Sequence, residues 1–206
     1  MEARHSVKTV AVVPIKGLLH AKSRLAARLS PTERADLARD MLAHVLDTIA
    51  RSGHIAAIAV ISPHLEELHL PPGVTPLPQT QDGLNALLEQ GREWAITQGA
   101  DALMLAFADL PLLQPTDVEN IVRLGLPART VVLAPDRHNH GTNIMLLHPP
   151  TLVPFSFGPN SYEAHRVATL KAGAHLEVYR SCGTSLDIDT PDDLACLEKE
   201  RLAEAG

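Results

Sequence analysis

The sequence predicts an α/β fold on a mostly parallel central sheet, covered by helices on both sides. Three observations carry this. Short apolar, β-rich runs alternate with longer segments of helical period. The runs read as continuously apolar rather than alternating, as strands buried on both faces do. No repeat, low-complexity tract or linker interrupts the 206 residues, so one domain spans 1–206.

The elements follow in order. Val7 to Val13 is a buried strand ending at Pro14. Ser30-Pro31-Thr32-Glu33 has the form of a capping box with proline at the first helical position. Leu37, Met41, Leu42, Val45, Leu46 and Ile49 then recur at helical spacing, and Gly53 ends that helix. Strands are expected at Ile55–Ile61, Val74–Leu77 and Ala102–Ala106, with a helix from Leu84 to Gln98 between the last two. Thr116 with Glu119 suggests a capped helix to Leu124. Val131–Ala134 and Ile144–Leu147 flank an Asn/His/Gly-rich turn. Ser161–Ala172 reads as helix, His175–Tyr179 as extended chain, and Thr190-Pro191 opens the last helix.

Composition narrows the function. Hydrophobic residues at 45% and charged residues at 20% are ordinary for a soluble domain. Cys182 and Cys196 form no Cys-x-x-Cys pair and no disulfide framework, as in a reduced compartment. The first residues lack the long apolar run of a signal peptide, and Ile55–Ile61 is too short to span a bilayer. The expected location is the cytoplasm. Residues 1–34 carry seven Lys and Arg against Glu2 and Glu33, a segment of +5 on a remainder of −11. Such a segment suits a local anion site better than a nucleic-acid surface, and 3% aromatics argue against base stacking.

Ligands bind beyond the carboxyl ends of strands in such sheets. Lys16, Lys22 and Arg24 fall directly after the first strand, where they could wrap a triphosphate or simply form a solvated basic loop. No Walker-type glycine-rich sequence is present. Asp109 follows a buried strand, as a metal-binding carboxylate or as a turn residue before Leu110-Pro111. Asp187 and Asp189 alternate in an extended segment and so share a face. Helix capping explains Thr190 to Asp193 but not Asp187. Phe157-Gly158-Pro159-Asn160-Ser161 precedes a helix, giving either an anion site or plain capping by Asn160 or Ser161. Gly83 and Asn85 open another helix, where Asn85 could read a base edge. His138 and His140 lack a third histidine to complete a zinc site and fit a turn better, and Thr142 after Gly141 could face the rim.

In order, the stretches VPIKGLLHAKSRL, SPTERADLARDML, GLN, ADLP, HGTN, FGPNS with His165, and LDIDTPDDL resemble the CofC/FbiD family nearly end to end. These are 2-phospho-L-lactate or phosphoenolpyruvate guanylyltransferases of deazaflavin coenzyme F(420) biosynthesis, related to the MobA-like molybdenum-cofactor nucleotidyltransferases. The resemblance implies a three-layer, Rossmann-like nucleotidyltransferase (GT-A-like) fold. It implies Mg²⁺ held by Asp109, Asp187 and Asp189, and the phosphorylated acid held by Thr142, Gly158 and Ser161. Lys16, Lys22 and Arg24 match the nucleotide-phosphate loop, with Gly83 and Asn85 on the nucleotide side. Gly17 stands where many members carry proline, implying a more mobile loop; the MobA-like glycine-rich first loop is missing.

The activity so implied is transfer of GMP from GTP to the acid's phosphate, with release of pyrophosphate. The partners are then GTP and the acid, with no nucleic acid or membrane and with a homodimer left open. The residues do not choose among phosphoenolpyruvate, 2-phospholactate and 3-phosphoglycerate; phosphoenolpyruvate is the one expected. The competing readings are a nucleotidyltransferase acting on a sugar phosphate or the molybdenum cofactor, a non-catalytic GTP-binding regulatory domain, and a metal hydrolase using His138 and His140.

Overall fold

A computed structural model describes residues 7–18 and 21–204. Seven strands form one sheet: β1 (Thr9–Pro14), β2 (Ala57–Ser62), β3 (Val74–Pro78), β4 (Ala102–Ala106), β5 (Thr130–Pro135), β6 (Thr142–His148) and β7 (His175–Val178). Their order is β3-β2-β1-β4-β6-β5-β7. All neighbours run parallel except β6, which is antiparallel to both β4 and β5. That reversal follows from connectivity. Six residues join β5 to β6, too few for a parallel crossover but enough for a hairpin. The expectation of a mostly parallel sheet holds with this one exception.

The helices are α1 (Pro31–Arg51), α2 (Leu84–Thr97), α3 (Pro115–Leu124), α4 (Ser161–Lys171), α5 (Cys182–Ser185) and α6 (Pro191–Glu204). Two short 3-10 turns, Ser23–Leu25 and Leu65–Glu67, were not legible in the sequence, nor was α5. The capping box of α1 is formed: Ser30 Oγ accepts from Glu33 N at 3.3 Å and Glu33 Oε2 accepts from Ser30 N at 2.8 Å. In α3 the expected Thr116–Glu119 cap is displaced by one built from Gln114 and Asp117, because Pro115 takes the first helical position. Asp117 Oδ2 accepts from Gln114 N at 2.8 Å, and its other oxygen accepts from Tyr179 Oη at 2.9 Å.

The strands sort their side chains by period two. Ala11, Val13, Ile58, Val60, Met104, Val132 and Ile144 join Val45, Leu46 and Ile49 of α1 and Val118 and Ile121 of α3 in one core. Val10, Val12, Ala59, Leu103, Leu105, Leu133 and Met145 join Leu87, Leu88 and Ala95 of α2 in the other, with Tyr162 and Ala168 of α4 against it. The sheet is therefore the middle of three layers. A third cluster (Leu25, Met41, Leu112, Leu186, Ile188 and Leu197) caps the sheet beyond the ends of β1 and β4, beneath the segments that carry the charged residues. No helix among the described residues is long and apolar enough to cross a membrane.

Candidate active site

At the carboxyl ends of β1 and β4 the structure draws one cation and three carboxylates together. Lys22 has left-handed backbone (φ 53°), and the next turn plants Leu25 in the third core cluster. Its ammonium donates to Asp109 Oδ2 at 2.6 Å and to Asp189 Oδ1 at 3.0 Å, with only 10% of the side chain exposed. Burial disfavours this charge, but the two carboxylates more than offset it and raise its pKa above the ordinary lysine value. Ile188 N donates to Asp109 O at 3.2 Å, binding the last acidic segment to the end of β4. Leu186 and Ile188 are buried, so Asp187 and Asp189 between and after them project to the opposite side.

Asp187 is aimed by a residue the sequence reading passed over. Asn143 Nδ2 donates to Asp187 Oδ1 at 3.2 Å and to Thr184 O at 3.1 Å. Burial, and after it the charge of Asp109, pushes the Asp187 carboxyl up to about 6. Asp109 Oδ1 is buried without a hydrogen-bond partner. Crowded carboxylates with an orphaned acceptor and a hard, all-oxygen donor set fit a divalent cation such as Mg²⁺. The spacing qualifies this. Among the described residues the one His/Cys/Asp/Glu trio with ligand atoms all within 4.8 Å of one another is His64, Glu66 and Glu67. The three aspartates stand wider, with the Lys22 ammonium between two of them.

The other cations are looser. Arg24 Nη1 lies 3.8 Å from Asp189 Oδ2 and is 74% exposed, while Lys16 is exposed along the cavity wall. The loop that carries Lys16 is not simply slack, as Gly17 had suggested. Gly17 takes φ +114°, and a Cβ there would meet His64 Cδ2 at 2.9 Å; Leu18 N donates to Glu67 Oε2 at 2.6 Å. Glycine is needed here both for the backbone and for the close approach.

These groups line one wall of a cavity of about 960 Å³ that also includes Gly83, Thr142, Gly158 and Ser161. Thr142, at the start of the reversed strand β6, lies at the same rim as the ends of its parallel neighbours. Thr142 Oγ1 is 3.1 Å from His165 Nδ1 and accepts from Ser161 Oγ at 3.4 Å. His165 Nε2 accepts from Ser156 N at 3.0 Å, so the ring proton is on Nδ1 and is donated to Thr142. Burial lowers the His165 pKa to about 4, which keeps it neutral.

Two sequence expectations change. The first amides of α4 are not an open anion cradle: Ser161 N donates to Gly158 O at 3.1 Å and Tyr162 N to His140 O at 3.2 Å. The site there consists of the Gly158 backbone and two hydroxyls, and Asn160 makes no side-chain cap. Asn85 turns its amide onto the backbone of Phe157, where Nδ2 donates to O at 2.9 Å and Oδ1 accepts from N at 2.8 Å, and it is not among the residues that line the cavity. His138 and His140 stack 6.2 Å apart on an exposed turn. Asp136 folds that turn, its oxygens accepting from the amides of His138, His140 and Gly141 at 2.9, 2.9 and 2.7 Å. That gives the histidines a place in a hairpin turn.

Known proteins resemble this chain over nearly its whole length. The family model described as guanylyl transferase CofC like matches residues 9–198. A phosphoenolpyruvate guanylyltransferase of Rubrobacter xylanophilus is 43% identical, over 91% of this chain and 92% of that one. A 2-phospho-L-lactate guanylyltransferase of Methanothermobacter thermautotrophicus is 32% identical, over 91% and 83%. A solved nucleotidyl transferase from the same organism superposes with a TM-score of 0.68 at 14% identity, over 96% of this chain and 99% of the other, which shows the shared fold. With the sheet order, the acidic rim and these matches together, the chain belongs to the CofC-like guanylyl transferase family.

Proposed function

We propose that this protein transfers GMP from GTP to the phosphate of a small phosphorylated carboxylic acid, phosphoenolpyruvate in the first instance, and releases pyrophosphate, a step of coenzyme F(420) biosynthesis. The observation that carries the reading is the Lys22 ammonium set between Asp109 and Asp189, beside Asp187, in one cavity with Thr142 and Ser161. The choice of acid rests on the relative named for phosphoenolpyruvate being closer, at 43%, than the one named for 2-phospho-L-lactate, at 32%.

The chemistry is a displacement at phosphorus. An oxygen of the acid's phosphate attacks the α-phosphorus of GTP; that P–O bond forms as the bond to the bridging oxygen of pyrophosphate breaks. A phosphomonoester has a second pKa near ~6 and is largely dianionic at neutral pH, so no base need remove a proton. The obstacle is repulsion between two polyanions. Lys22, Lys16 and Arg24 supply positive charge on one wall, while Thr142, Ser161 and the Gly158 backbone orient the acid on the other. Asp109, Asp187 and Asp189 would hold Mg²⁺, which when bound neutralises phosphate charge and favours departure of pyrophosphate.

Incubation with GTP, Mg²⁺ and equal amounts of phosphoenolpyruvate, 2-phospholactate and 3-phosphoglycerate, followed by mass spectrometry, tests this. The expected product is the guanylylated phosphoenolpyruvate with one pyrophosphate per turnover. GTP binding without pyrophosphate from any acid would instead identify a regulatory domain.

A further inference from the structure

The segment Ser156–Phe157, which leads into Gly158, is gripped by two side chains from different elements. Asn85, in the first turn of α2, pairs with both backbone polar groups of Phe157, as a neighbouring strand would. His165 of α4 accepts the Ser156 N–H and packs edge-on against the Phe157 ring at 4.5 Å. Phe107, directly after β4, closes on the same ring at 5.5 Å. Three backbone groups of these two residues are thus fixed immediately before a glycine at φ +139°, a conformation other residues rarely adopt. Gly158 lines the cavity.

The same contacts set the polarity of Thr142. Its oxygen receives the Nδ1–H of His165 and the hydroxyl proton of Ser161, which leaves its own O–H to give. Gly83 and Leu84, at the start of α2, line the nucleotide side of the same cavity, so Asn85 ties that helix to the acid's loop.

We propose that Asn85 and His165 are positioning residues for the phosphorylated acid: they clamp Ser156–Phe157 so that Gly158 and the Thr142 hydroxyl meet the acid, and Asn85 takes no part in reading guanine. This rests on the guanylyltransferase reading.

The test combines hydrogen exchange with steady-state kinetics on wild type, Asn85→Ala, Asn85→Asp and His165→Gln. In Asn85→Ala the Ser156 and Phe157 amides should exchange about ten-fold faster, the net worth of one or two hydrogen bonds. KM for phosphoenolpyruvate should rise about ten-fold, while KM for GTP and the preference for GTP over ITP stay within about two-fold. Asn85→Asp keeps the acceptor for Phe157 N–H and should fall between, which covers the case of Asn85→Ala failing to fold. His165→Gln should weaken the acid in the same way. A changed GTP:ITP preference with an unchanged KM for the acid would overturn the proposal and return Asn85 to the base. So would unchanged exchange at Ser156 and Phe157. Absence of pyrophosphate from wild type would defeat the functional reading alone: exchange, with calorimetric binding of phosphoenolpyruvate to the same variants, would still decide the clamp.

Discussion

The two walls of the cavity solve different problems with different chemistry. The wall at the ends of β1 and β4 is charged and partly wet: the Asp109, Asp189 and Arg24 side chains are 23%, 47% and 74% exposed. The wall at the start of β6 and α4 is buried and mostly neutral, its one carboxylate, Asp136, being turned onto the amides of the hairpin beside it. Thr142, Ser161 and Asn143 are nearly inaccessible, and His165 is fully so and held neutral. Charge acts through several ångströms of solvent and tolerates loose placement, whereas a hydroxyl works only at hydrogen-bond range and in one orientation. In the proposed reaction, neutralising the triphosphate would fall to the charged wall, with Lys22 anchored between its carboxylates and Arg24 loose beside them. Orienting the small acid would fall to a network locked inside the protein.

The sharpest way to break this contrast is Asp109→Asn. It should lower kcat by 10²–10³-fold, about 3–4 kcal/mol of barrier, with the fold unchanged by circular dichroism. GTP consumption at the wild-type rate would remove the charged wall from the chemistry; Asp187→Asn is expected to behave alike.

Next comes Lys22→Met, which leaves Asp109 and Asp189 facing each other without a counter-charge. KM for GTP should rise by roughly ten- to a hundred-fold and that for the acid by much less, since the loss falls on the nucleotide's phosphates. Equal effects on both substrates would blur the two walls into one.

His165 sharpens the contrast from the stability side. Its folded pKa of about 4 lies below the ordinary histidine value of 6.5. The unfolded chain therefore binds the proton first as pH falls, and folding is penalised between those values while remaining intact above 6.5. Wild type should lose about 2 kcal/mol more stability than His165→Gln between pH 7 and pH 5. Urea midpoints at the two pH values read this, and parallel losses would mean that the ring is not held neutral.

The smallest effect expected is from Thr142→Val, which keeps the shape and removes the hydroxyl. KM for the acid should rise about ten-fold, near 1.4 kcal/mol, with KM for GTP unchanged. A larger effect on GTP would place Thr142 on the wrong wall.

The charged wall was the more legible in sequence. Placing Asp109, Asp187, Asp189 and Lys22 on one rim needed only strand ends and alternation, which local patterns supply. The buried wall depends on partners far apart in the chain. Asn85 and Phe157 are 72 positions apart, so the pairing that occupies the Asn85 amide could not be read from a Gly-Leu-Asn helix start. Asn143 lies in the His-Gly-Thr-Asn stretch, yet nothing local announces that it holds Asp187. The two short 3-10 turns carry no side-chain cap, and α5 is a single four-residue turn capped by Ser181 and Thr184; all three are too brief to leave a period. The Gln114–Asp117 cap was overlooked because glutamine ranks low among cap residues.

Running one strand against the grain of the sheet has a lasting effect on which parts of the pocket can drift. Along β6 it is the beginning of the strand that lines the cavity, so Thr142 is stitched into the ladder by β5 and Asn143 adjoins the β4 exit through Phe107 N. Their backbone cannot swing out and return, as the residues of a closing loop do. An acid bound as proposed would have to conform to a fixed template at this end of the cavity.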